Sequence, residues 1–137
     1  MCAMTSRISH TTFDSRDAHA QSHWWSEVLG WSEDPQDPNL PGHEECMIFS
    51  PDGRQRVLFI EVSEGKTIKN RLHLDLTPTD RTRDEEVERL LAHGATMFQD
   101  LRKPDGGWAT LLDPEGNEFC ILRGETERPD PYAHLVV

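Results

Sequence analysis

Basic residues are scarce: 14 Lys and Arg stand against 25 Asp and Glu, leaving the 137-residue chain at net −11 with a sequence pI near 4.9. No run of Lys or Arg interrupts that balance. A nucleic-acid partner, which needs a basic face to displace counterions from phosphates, is therefore excluded, and an anionic membrane surface is disfavoured on the same ground. No apolar run approaches the roughly 20 residues of a membrane span, so the sequence reads as a soluble protein. The N-terminal MCAMTSRISH has neither a basic stretch leading into an apolar one nor an acylation signal, which predicts a cytoplasmic location. Cys2, Cys46 and Cys120 are odd in number and lack CxxC spacing, as expected of reduced thiols. A Gly-rich phosphate loop, a nucleophile elbow and a dinucleotide fingerprint are all absent, so nucleotide chemistry and acyl transfer have no support.

Large apolar side chains are also few. Leu, Ile, Val and Phe supply 29 of the 137 residues, near the border at which highly charged chains stop folding. Four Trp and a clear periodicity argue that this one folds. A core so thin favours completing its apolar burial against a second copy, and a homodimer is expected.

What the sequence does contain is a repeat. ISHTTFD, a helical stretch ending VLGW and a hairpin around PDG are echoed by RLHLDLT, a helical stretch ending LAHGAT and a hairpin around PEG. His10 and His73, like Pro51 and Pro114, are 63 residues apart, whereas Gly30 and Gly94 differ by 64. Each copy reads as strand, helix, then three strands. The chain is thus expected to be one domain over 1–137, with a first module at about 7–62, a linker at 63–70, a second module at about 71–123 and a tail at 124–137. In the second module Leu72, Leu74 and Leu76 alternate with His73, Asp75 and Thr77, the period of a strand with one apolar face. Thr82 and Glu85 stand at capping-box spacing ahead of an apolar stripe at Val87, Leu90 and Leu91, and Gly94 sits where a left-handed cap belongs. In the first module the stripe is Trp24, Trp25, Val28 and Leu29, closed by Gly30; the tryptophans read as helix-to-sheet core. Further strands are expected over 45–50 and 55–62, and over 95–99, 108–112 and 117–122, with type I turns at Pro51 and Pro114.

The fold class is accordingly α+β: two βαβββ modules forming a cup-shaped mixed sheet with helices on the outer face. Alternation groups Ile8, His10 and Thr12, then Val57, Phe59 and Glu61, then Glu118, Cys120 and Leu122. His10, Glu61, His73 and Cys120 or Glu118 are expected to point into the cup, where two imidazoles and a carboxylate suit a divalent transition metal. The same histidines equally suit plain hydrogen bonding in a polar cup. His19 and His23 are spaced i, i+4, but Ala20 stands where the zinc-protease motif HExxH needs Glu. The cluster of His43, Glu44 and Glu45 reads as a solvated loop.

These residues resemble a known family. ISHTTFD leading into EVLGW, IEV closing the fourth strand, HLDL opening the second module and DPEGNEF near the end are similar to the vicinal oxygen chelate superfamily, in particular its glyoxalase-like and bleomycin-resistance-like members, over residues 7–123. The resemblance implies a metal site with His10, Glu61 and His73 as ligands. Its usual fourth ligand, a Glu four residues after the glycine of the DPEGN turn, is replaced by Cys120, with Glu118 two residues earlier. Either Cys120 ligates as thiolate, or Glu118 reaches in, or three ligands hold the ion, or none is bound.

Two functions follow from the resemblance. One is a metal-dependent lyase or isomerase acting on a small oxygenated molecule, using Zn, Ni, Fe or Mn, with Glu61 or Glu118 moving a proton and Phe59, Asp75, Trp108 and Cys120 touching substrate. The alternative is a metal-free protein of the bleomycin-resistance type that sequesters a drug or aromatic ligand by stacking on Trp108, Phe59 and Trp31, a cationic one being favoured by the acidic surface. A plain dimerisation module is the third, blander reading.

Overall fold

The computed structural model describes residues 4–136; the expected thiol at Cys2 and the end of the tail at Val137 lie outside them. The chain divides into two compact units, Met1–Gly65 and Lys66–Val137, with the boundary inside the expected linker. The architecture is α+β, as the repeat predicts: β1(Thr11–Ser15), α1(Ala18–Leu29), β2(Glu45–Phe49) and β3(Arg56–Glu61) in the first unit, then β4(Leu74–Leu76), α2(Arg83–Ala92), β5(Thr96–Asp100), β6(Ala109–Leu112) and β7(Glu118–Ile121) in the second. A short 3-10 turn at Ala133–Leu135 follows.

In the first unit the sheet order is β1-β3-β2, with β1 parallel and β2 antiparallel to β3. Asp17 caps α1 through the backbone N–H of Ala20, and Gly30 ends the helix in the left-handed conformation at φ 67°. α1 packs its tryptophans on this sheet: Trp25 meets Phe13 edge-on at 5.6 Å, and Phe13 meets Phe59 at 5.3 Å. Only two of the three expected strands follow the helix. The intervening segment carries Pro35, Pro38 and Pro41, which have no N–H to give a ladder, and contributes one bridge to the sheet, Ser32 to Phe49, besides the internal bridge Asp34 to Asp37. Asn39 substitutes for a strand there, its side-chain amide donating to Met47 O at 2.8 Å and accepting from Met47 N at 3.2 Å. The turn at Pro51 forms as expected, closed by Gly53 N donating to Ser50 O.

The second unit shows the full βαβββ pattern. Its sheet order is β4-β7-β6-β5, with β4 parallel to β7 and the remaining pairs antiparallel. Thr82 and Glu85 close the capping box predicted for α2, and after the C-cap His93 the expected Gly94 takes a positive φ of 111°. Val87 and Leu90 of α2 are buried, as are Ala109, Leu111, Phe119 and Ile121 of the sheet. Those four sheet residues share one face through the pairs Ala109–Ile121 and Leu111–Phe119. Burying each large side chain of such a layer contributes roughly 1.5–3 kcal/mol. The opposite face is left to Thr110, Cys120 and Asp75, which form one row across β6, β7 and β4.

Candidate functional site

That row is where chemistry gathers. HLDL puts His73 and Asp75 two residues apart, hence on one face of the strand, and parallel pairing sets Asp75 beside Cys120. The His73 imidazole, the Asp75 carboxylate and the Cys120 thiol each offer a ligand atom, all within 4.8 Å of one another. His73 Nε2 lies 3.4 Å from Asp75 Oδ1, and Cys120 Sγ lies 3.4 Å from Thr110 Oγ1. Cys120 is buried at 5% exposure. Burial pushes its thiol up from the usual value and the neighbouring Asp75 adds to this, against a lowering contribution from the Thr110 hydroxyl.

The donor set fits a divalent transition metal. Bonds of about 2.0–2.3 Å to imidazole, carboxylate and thiolate would draw the three ligand atoms slightly closer together than they stand. An N, O, S set is borderline to soft and leans toward zinc. Asp75, expected to touch substrate, thus joins the candidate ligands; its i, i+2 spacing from His73 was the available signal. Thr110, which no sequence pattern singled out, orients the thiol.

Glu118 lies on the same face, but other groups hold it. Lys66 Nζ donates to its Oε1 at 3.0 Å and Asn70 N to its Oε2 at 3.3 Å, with the Glu118 side chain 4% exposed. Burial acts to raise its pKa, and the bonds from Lys66 and the backbone outweigh it, holding the carboxyl below its ordinary value. Asn70 also donates to Asn117 Oδ1 at 2.7 Å, and Asn117 is bonded in turn to Asp113 in the Pro114 turn. Trp108 shares the parity of Thr110 and keeps 41% of its surface exposed, as an expected ligand-contacting ring requires.

The remaining sequence-predicted residues belong to the first unit. His10 is exposed, precedes β1 and places Nδ1 3.0 Å from Ser9 Oγ. Glu61 is the exposed last residue of β3 and pairs with Ser15, whereas Thr11, next to His10, pairs with Val57. Four rungs, roughly 13 Å of strand, therefore separate Glu61 from the His10 end of the pairing. Phe59 is a correction: it is fully buried on Phe13 beneath α1, because the Val57–Phe59 face is the one the helix covers. The open face of β3 carries Leu58 and Ile60 instead. His19 and His23 stack on α1 with ring centroids 4.6 Å apart, and His43, Glu44 and Glu45 are exposed as expected.

Comparison with known proteins agrees with this fold. A family model described as a glyoxalase-like domain matches residues 10–122, running through both units. A fosfomycin resistance protein FosX from Mesorhizobium loti is similar in structure, with TM-score 0.66 and 20% identity over 97% of this chain and 100% of that one. A FosX variant from Listeria monocytogenes, complexed with Mn(II) and 1S,2S-dihydroxypropylphosphonic acid, gives TM-score 0.63 and 19% identity over 88% and 94%. A glyoxalase/bleomycin resistance protein/dioxygenase family enzyme from Burkholderia phytofirmans gives TM-score 0.60 and 25% identity over 83% and 95%. No curated protein matches the chain.

Proposed function

The chain belongs to the glyoxalase-like domain family of the vicinal oxygen chelate superfamily, and from that premise we propose that it is a metal-dependent lyase or isomerase acting on a small oxygenated molecule. The observation that carries this reading is the convergence of His73, Asp75 and Cys120 on one face of the second sheet. A divalent cation held there would act as a Lewis acid toward substrate oxygens. Asp75 sits 3.4 Å from the His73 ring, close enough for both to offer an atom to one ion. Cys120 must release its proton to ligate, since the thiolate is the binding form. Trp108 presents an exposed ring to the non-reacting part of a substrate. Glu118, tied to Lys66 and Asn70, is assigned to holding the 66–70 segment rather than to moving a proton. A homodimer is part of the proposal, because Ile68 and Leu72 stand 78% and 86% exposed just ahead of β4; sedimentation velocity at two concentrations checks it.

The test is elemental analysis of tag-free protein purified without chelator, beside His73→Ala and Cys120→Ser. About one equivalent of a divalent transition metal per chain, lost in both variants, is the expected result. Metal-free protein that also refuses loading would move the reading to a sequestering protein built around Trp108, to be screened with aromatic and cationic ligands.

A further inference from the structure

Beyond the ends of β4 and β7 the chain forms a pocket, open to solvent, of about 160 Å³. Thr77, Arg123 and Arg128 line it, with Glu125, Asp130 and two prolines of the tail. One buried donor there lacks an acceptor, beside two exposed ones. Arg123 Nε is buried and has no hydrogen-bond partner among the described residues, and the ion pair of that guanidinium is with Glu127, whose Oε2 lies 3.7 Å from Nη2. Glu127 is already engaged, its Oε1 accepting from Gly124 N at 2.8 Å and from Arg83 N at 2.6 Å. No described residue pairs with the Arg128 side chain or hydrogen-bonds the Thr77 hydroxyl. A buried donor on a cation without an acceptor is costly, so the cavity is short of an acceptor.

The two lining acids do not supply it. Asp130 Oδ1 accepts from Tyr132 N at 3.0 Å, and Glu125 is exposed. They do balance the two arginines, so the lining carries no net charge and a singly charged guest suits it better than a multiply charged one. A planar or tetrahedral oxyanion matches the guanidinium forks, which offer paired N–H groups to paired oxygens. We propose that this cavity binds an oxyanion, a carboxylate or a phosphate-type group, between Arg123, Arg128 and Thr77. Arg123 follows Ile121 in alternation and is joined through Glu127 to Arg83 at the start of α2, so this anion site stands on the helix side of the sheet, apart from the row of Thr110, Cys120 and Asp75, and does not depend on the metal reading above.

The test is calorimetric titration of the chelator-treated full chain with inorganic phosphate and, separately, acetate. Arg128→Gln removes an exposed side chain and should leave the fold intact; Arg123→Gln is the second variant, and Arg54→Gln removes the same charge from a turn of the first unit. Saturable binding of at least one anion, weakened about tenfold or more in Arg123→Gln and Arg128→Gln and unchanged in Arg54→Gln, is expected. The tighter of the two anions identifies the class of oxyanion that the pocket takes. No saturable binding, or equal weakening in all three variants, would overturn the proposal and leave Arg123 Nε to water.

Discussion

Cys120 decides what the second unit can hold. Its neighbours Asp75 and Thr110 already touch the thiol or stand within hydrogen-bond range of it, so substitution there changes the ligand without rebuilding the strand. Cys120→Ser keeps the size and the Thr110 contact and removes the thiolate; metal content should fall at least tenfold while the unfolding free energy of the metal-free protein moves by less than about 1 kcal/mol. Cys120→Glu restores the carboxylate usual in the family. It should tighten metal binding in a competition titration with a chromophoric chelator, at a cost of about 1–3 kcal/mol in metal-free stability for placing a larger, charged group at a buried position. Stability lost with no gain in affinity would mean that His73 and Asp75 are not poised to share an ion with position 120. His73 and Asp75 were legible in HLDL because two residues fix a common face. Cys120 entered through the family's turn motif, but its contact with Asp75 depends on pairing across 44 intervening positions, which no local pattern encodes.

Among the elements, the segment from Lys66 to Asn70 is held by Glu118 rather than by secondary structure of its own. Glu118→Gln preserves shape but leaves Lys66 without its counter-charge; with Lys66 partly exposed, the loss should be about 1–3 kcal/mol in urea unfolding, with metal content retained. The double substitution with Lys66→Met should cost less than the two single losses added together. If Glu118→Gln instead abolishes turnover without changing stability, the carboxylate is a proton carrier after all. The second repeat was readable throughout, because a period-2 strand, a capping box and a Pro-Gly turn are local signals. Two features escaped that reading. Alternation divides β3 into two faces but does not say which one α1 will cover, so Val57 and Phe59 were assigned to the wrong side; Phe13 at ring distance from both Trp25 and Phe59 settles it. Three prolines between Ser32 and His43 reduced an expected strand to one bridge onto β2 and the Asn39 side chain.

At the scale of the molecule, charge and buried thiols act at opposite ends of the pH range. Bonding to Arg102 holds Asp100 down to about 2, hydrogen bonds from Gly124 and Arg83 lower Glu127, and Glu118 is lowered by Lys66 and the backbone against the effect of burial. A carboxylate with a depressed folded pKa stabilises above its unfolded value and loses that contribution as pH falls through the folded one. Stability should therefore decline from about pH 4.5 toward pH 2, with high salt blunting only the part owed to exposed pairs such as Asp100 with Arg102. Cys46 and Cys120 behave in the opposite sense. Burial raises both thiols above the model-compound value of 9.0, so above that pH the unfolded chain releases protons that the folded chain retains, and stability falls as pH rises. Melting temperature against pH should show a plateau with a shoulder on each side. Replacing both thiols, as Cys46→Ala with Cys120→Ser, should flatten the alkaline shoulder and leave the acid one in place. An alkaline decline that survives the double substitution would assign it to the breaking of Lys and Arg pairs instead, and would show that the thiols are no more protonated in the folded chain than in the unfolded one.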